Sequence, residues 1–367
     1  MAQPRISRRR VLASAAILSI AGRHRARAEA AQERSLAALA GAVTVDMHSH
    51  AGGFNGIRRL NDNAPYLPLA APMRAGGMAV ACLAIVPDAP AHKVLADERI
   101  HPFRTPEPGE LYVFSARAFG RLMGLVREQS LAVIADAAAL RAARSARPSA
   151  IISSEGGDFM EGVLDRLDEA YAKYTLRHLQ LTHYRVNELG DIQTEAPVFG
   201  GLSPFGADVL RRCNALGVVV DIAHGTYDLV RQAAAITTKP LVLSHTSLVA
   251  NPGPRSRRIS ADHARVVAQT GGVIGVWPPT SIFADKAAMA AGIARLADVV
   301  GVDHVGIGTD MMGLVSGSCY GDYAETPEVA AALLDRGFSA ADVRRIMGGN
   351  YVRVFEATLG SARVSRP

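Results

Sequence analysis

Along this chain, short apolar runs alternate with longer segments whose apolar positions fall three or four apart. The first is the mark of a buried strand, the second of an amphipathic helix. The runs predict strands at Val43–Met47, Met78–Val86, Ala150–Ser153, Leu176–Leu181, Val218–Ile222, Pro240–Leu243, Gly272–Val276 and His304–Ile307. Helical spacing predicts helices at Ala116–Arg127, Ala135–Ala146, Val163–Tyr174, Pro204–Leu216, Tyr227–Ala235, Ala261–Gln269 and Ala287–Val299. Strands that alternate with helices pair in parallel, and about eight such units close a barrel, so the expected fold is α/β, a (β/α)8 TIM barrel. After the last strand, "TPEVAAALLDRG" and "SAADVRRIMGGN" predict extra C-terminal helices, with Ser339 as N-cap and Gly348-Gly349 as terminator. Asn61–Pro72 carries neither period and reads as a long loop at the barrel mouth.

Charge changes the picture at the front of the chain. Residues 1–28 hold seven arginines and no Lys, Asp or Glu; setting those seven aside takes the formal charge of the 367-residue chain from +6 to −1. A nearly neutral body lacks the electrostatic footprint of a phosphate-binding surface, so nucleic acid is not an expected partner. The same segment runs Ser-Arg-Arg-Arg-Val-Leu, then a short apolar stretch from Val11 to Gly22, then small residues at Ala26 and Ala28. It resembles a twin-arginine signal, which predicts export of the folded chain by the twin-arginine machinery, cleavage near Glu29 and a periplasmic or secreted location. The apolar stretch is too short for a permanent membrane span. The expected organisation is a signal at 1–28, a connector at 29–41 and one catalytic domain at 42–367. Cys82, Cys213 and Cys319 are too few and too scattered for a disulfide framework.

The polar residues that carry chemistry fall at predicted strand ends. His48 and His50 end the first strand and Glu155 the third; His183, His224 and His245 end the fourth, fifth and sixth, and Asp310 the eighth. In a barrel these ends share one face, where active sites are built. One histidine after a strand is ordinary; seven convergent His, Glu and Asp donors are a metal centre in outline. The i, i+2 spacing of His48 and His50 points both imidazoles the same way, toward one ion. Nitrogen donors with carboxylates suit Zn2+, with other divalent transition metals as alternatives. Five donors, His48, His50, Glu155, His224 and His245, exceed one catalytic tetrahedral site and serve two ions if Glu155 bridges them. His92 and His101 in a loop, His178 within a strand, His263 on a helix and His304 at the opposite rim lack the pattern and read as structural.

"DMHSH", "SEGGD", "LQLTH", "GLSPFGADVLRRCNALGVVVDIAH", "SHTS", "SRRI", "GVDHVGIGTD" and "GGNYVRVF" occur in that order, and the chain from Val45 to about Leu359 resembles the renal (membrane) dipeptidase family of metal-dependent amidohydrolases. The resemblance implies two Zn2+ bridged by Glu155, with His48 and His50 on one and His224 and His245 on the other. It implies substrate contacts from His183 and Arg257, proton handling by Asp310, and a dipeptide substrate cleaved by a metal-held hydroxide; relatives often form a homodimer, and the sequence leaves the oligomeric state open. Three positions depart from the family pattern: His50 stands for an aspartate, Asp158 for a histidine, and Met311-Met312 for Phe-Asp. They leave a lactone, a phosphoester or a cyclic amide as alternative substrates of the same centre.

Overall fold

The computed structural model describes residues 32–55 and 63–360. The expected signal at 1–28, its cleavage point and the loop residues Asn61 and Asp62 lie outside the described residues. The described residues form eleven strands, in chain order β1 Val45–Ser49, β2 Val80–Ile85, β3 His92–Val94, β4 Ile100–Pro102, β5 Ala132–Val133, β6 Ser149–Glu155, β7 Leu176–Gln180, β8 Val219–Asp221, β9 Val242–Thr246, β10 Val273–Val276 and β11 Val305–Ile307. The main sheet runs β1-β2-β6-β7-β8-β9-β10-β11, every pair parallel. At the mouth the first and last strands meet: Ser49 bridges Met311, His50 N donates to Met311 O at 2.9 Å, and Asp310 N donates to His48 O at 3.0 Å. This is the predicted (β/α)8 barrel, with all eight predicted strands in place.

Helices cross between the strands at Glu110–Glu128, Asp165–Tyr174, Pro204–Leu216, Tyr227–Ile236, Ala261–Gln269 and Lys286–Val300. Ser203, Thr226, Ser260 and Asp285 cap four of them, each side chain accepting from a backbone N–H of the first turn. One large apolar cluster lies between the sheet and these helices. A second fills the lower barrel with Val45, Met47, Cys82, Ile151, Val219, Val242 and Val273, closed below by Tyr351, Val354 and Phe355.

Three details depart from the sequence reading. The mouth-loop segment contains a helix, Ala70–Gly76. A hairpin, β3 paired antiparallel with β4, rises between β2 and the helix Glu110–Glu128. Gly348-Gly349 does not terminate the C-terminal helices: the backbone kinks at Gly348 and Asn350–Leu359 continues as a helix. Gly348 is there for contact, because a Cβ would stand 2.2 Å from Val43 O. That approach seats Tyr351 under the barrel, where its hydroxyl lies 2.8 Å from His178 Nδ1. Ser339 forms the expected cap, in a capping box with Asp342.

β1 also carries a bulge. Asp46 pairs with Ala81 and Ser49 with Leu83, so β1 advances three residues while β2 advances two. Without it, strict alternation would put Asp46, His48 and His50 on one face and Met47 on the other. With it, Met47 fills the barrel, against the space left by Gly275 and Gly306, while His48 and His50 face the mouth. Asp46 turns away and accepts from Thr309 N at 2.9 Å, Thr309 Oγ1 at 2.5 Å and the Tyr323 hydroxyl at 2.7 Å.

Candidate metal centre

Glu155, at the end of β6, is the hub. Its Oε1 lies 3.4 Å from His48 Nε2, 3.1 Å from His224 Nε2 and 3.4 Å from His245 Nε2. Its Oε2 lies 3.1 Å from His50 Nε2 and 3.2 Å from His183 Nε2. Asp310 joins at the edge, with Oδ1 3.4 Å from His50 Nε2. The structure therefore brings together His48, His50, Glu155, His183, His224, His245 and Asp310, all buried. His224 and Asp310 hold left-handed backbones, φ 67° and φ 50°, which non-glycine residues rarely adopt.

The donor set fits cations. His48 Nε2 and His50 Nε2 are 3.2 Å apart, and His224 Nε2 and His245 Nε2 are 3.1 Å apart. Two nitrogens each about 2.1 Å from a tetrahedral ion stand about 3.4 Å from each other, close to both pairs. His50 is set for this role, because its Nδ1 lies 2.9 Å from Ala84 O, and donation there leaves the Nε2 lone pair free. Ser244 Oγ, 2.8 Å from His245 Nδ1, orients that ring. Three groups at the hub are compact enough to hold an ion: His48, His50 and Asp310; His48, His245 and Glu155; and His183, His224 and Glu155. One hub thus touches both halves of the centre.

Electrostatics sort the rings. Burial pushes His245 down to about 4 with help from nearby His48, and burial with nearby Arg257 holds His224 well below its ordinary value. Both are neutral lone-pair donors at pH 7. Burial opposes charge on His50 too, but bonds to Asp310 and Glu155 outweigh it and lift the ring to about 10. Two carboxylates there call for a positive partner, a proton or a metal cation. Glu155 stays ionised despite burial because His183 and His48 surround it.

Arg257 sits apart from the hub. Its Nη1 donates to Gln193 Oε1 at 2.9 Å and its guanidinium lies 5.4 Å from the Trp277 ring centroid. Nε and Nη2 are buried with no hydrogen-bond partner, as a fork awaiting an anion would be.

Sequence reasoning missed several contributors. Asp88 Oδ1 is 2.7 Å from His183 Nδ1, and Asp88 Oδ2 accepts from Tyr184 N at 3.0 Å. His92, read as structural, lines the cavity over the centre and joins Asp88 and His183 in a further compact donor group. His178 does serve structure, bonded to Tyr351 and 3.2 Å from Asp221. Asp158 is buried away from the hub and accepts from Arg185 Nε and Asn187 Nδ2, each at 2.9 Å.

A profile of the membrane dipeptidase family (peptidase family M19) matches residues 117–366. The dipeptidase aclJ of Aspergillus oryzae is 32% identical over 219 residues, 57% of this chain and 51% of that protein. The dipeptidase tcpJ of Claviceps purpurea is 30% identical over 224 residues, 59% and 52% of the two chains. The chain thus spans about half the length of the curated relatives it matches. Among solved structures, the probable dipeptidase PvdM of Pseudomonas aeruginosa has TM-score 0.75 at 18% identity, covering 90% of this chain and 99% of that one. A metallopeptidase of Rhodobacter sphaeroides, liganded with a phosphinate mimic of the dipeptide L-Ala-D-Ala, has TM-score 0.70 at 20% identity, covering 86% and 99%. With the profile matching more than half of its length, the chain belongs to the membrane dipeptidase family.

Proposed function

We propose that this protein is a dipeptidase that hydrolyses the amide bond with two Zn2+ held by His48, His50, Glu155, His224 and His245. The observation that carries this reading is the convergence of five imidazole Nε2 atoms on the two oxygens of Glu155. Ions bound there would polarise the scissile carbonyl and acidify a water molecule. The chain's own groups do the rest. Asp310 is held in its ionised form, against burial, by its bond to His50, and in that form it takes a proton from the attacking water and returns it to the departing amine. His183, whose charged form Asp88 and Glu155 favour although burial opposes it, places an N–H where the carbonyl oxygen gains charge. Arg257 receives the terminal carboxylate with its free fork edge.

Metal content of the purified chain, read beside hydrolysis of a dipeptide panel that includes a D-residue on the carboxyl side, tests the proposal. About two zinc per chain with turnover is the expected result. His224→Ala is expected to lose turnover and metal together; a variant fully active with full metal would overturn the scheme. We further propose that residues 1–28 direct the folded protein out of the cytoplasm through the twin-arginine route. Loss of export of a fused folded reporter when Arg8 and Arg9 become lysines is the expected outcome.

A further inference from the structure

The cavity over the metal centre has a volume of about 370 Å³ and two chemically different ends. Its floor is the donor cluster. Its outer wall comes from the β3–β4 hairpin, the helix Glu110–Glu128 and the segment after Asp310, and presents Val94, Ile100, Phe114, Met312, Leu314 and Val315. Val94, Met312 and Val315 are exposed, so the apolar surface reaches the rim. Isolated exposed apolar residues are ordinary, but here several converge on one mouth.

Polarity across the cavity sets the orientation of a substrate. His224 and Tyr184 line one side of the cavity, and Arg257 stands behind that side, bonded to Gln193, whose N–H donates to His224 O at 2.8 Å, so a substrate carboxylate docks there. The acyl half of the amide then extends past His50 and Asp310 toward Met312–Val315. A free dipeptide places an α-ammonium there. Burying an ammonium requires a partner carboxylate. The carboxylates among the described lining residues are Glu155 and Asp310, both already turned onto His50. The one lysine of the lining, Lys93, adds a positive charge at the rim. An uncharged, apolar acyl chain meets neither obstacle and buries the wall.

We propose that the preferred substrates are N-acyl amino acids with a medium-length apolar acyl group, and that the β3–β4 hairpin and residues 312–315 select that group. The assignment rests on the amide-hydrolase reading above. Water adds to the acyl carbonyl, the C–N bond breaks, and the nitrogen takes up a proton, releasing a carboxylic acid and a free amino acid.

The test uses the full-length, zinc-loaded protein with N-octanoyl-alanine, N-acetyl-alanine and leucyl-alanine, each with L- and D-alanine. N-Octanoyl-alanine is expected to exceed both others in kcat/KM by roughly tenfold or more, as several buried methylenes allow. Val94→Asp and Val315→Asp are each expected to lower the octanoyl-to-acetyl ratio severalfold. Leucyl-alanine cleaved as well as or better than the octanoyl substrate would overturn the inference and leave the dipeptidase reading standing. No turnover of any of the amides by a zinc-replete protein would overturn both. An octanoyl-to-acetyl ratio unmoved by either substitution would remove the hairpin and the 312–315 segment as the selecting wall.

Discussion

Asp88 and His183 form one unit: Asp88 Oδ1 lies 2.7 Å from His183 Nδ1, and the opposite ring nitrogen faces Glu155 at 3.2 Å. The carboxylate accepts from Nδ1–H, favours the charged ring and fixes where Nε2–H points. Asp88 does not reach the substrate, so it acts as a positioning residue. Asp88→Asn is expected to lower kcat by about 10–100-fold with little change in KM, and to move the pH profile of kcat. A parallel loss of folding, seen by circular dichroism, with kcat per folded molecule unchanged, would make the contact merely structural.

Arg257 is asked to bind with a planar fork, which lysine lacks. Arg257→Lys is expected to raise KM by about 10–100-fold while kcat changes little, as loss of a charge-assisted bond to substrate would. A large fall in kcat at unchanged KM would place the arginine in the chemistry.

Removal of metal is expected to uncover the crowding of imidazoles around Glu155. Chelation should abolish turnover and lower Tm by several degrees, and added zinc should restore both, because an ion that binds only the folded chain stabilises it by mass action. Unchanged thermal unfolding after complete demetallation would show that no ion binds the folded chain tightly enough to count.

His263, on the helix Ala261–Gln269, is buried and burial pushes its imidazole from 6.5 down to about 4. Above pH 6.5 neither the folded nor the unfolded chain binds this proton. As pH falls toward 4 the unfolded chain binds it first, so up to about 3 kcal/mol of stability is lost across that window. His263→Leu is expected to flatten the fall of Tm between pH 6.5 and 4. An unaltered slope would mean that His263 is protonated in the folded protein.

The barrel was legible because buried parallel strands are written as apolar runs, and the ends of those runs located Glu155, His183, His224, His245 and Asp310. The supporting residues were not. Asp88 stands just past the second apolar run, a place as suggestive as the others, but without a companion donor in sequence it carried no pattern. The β3–β4 hairpin has strands of three residues each, too short for a period, so His92 was assigned to a loop. Arg257 was nominated by its motif; its Trp277 and Gln193 partners come from other turns of the barrel. The bulge in β1 leaves no composition signal, since it lies in how Asp46 and Ser49 meet β2.

The left-handed backbones of His224 and Asp310 bear on any effort to harden this protein against heat. Each such residue costs roughly 1–3 kcal/mol, which glycine at the same position would relieve. A screen that selects on the melting temperature of the metal-free protein alone would therefore favour glycine at the two sites that aim a donor into the centre. Heat-resistant isolates would be enriched for inactive ones, so the screen must be read for turnover at every round.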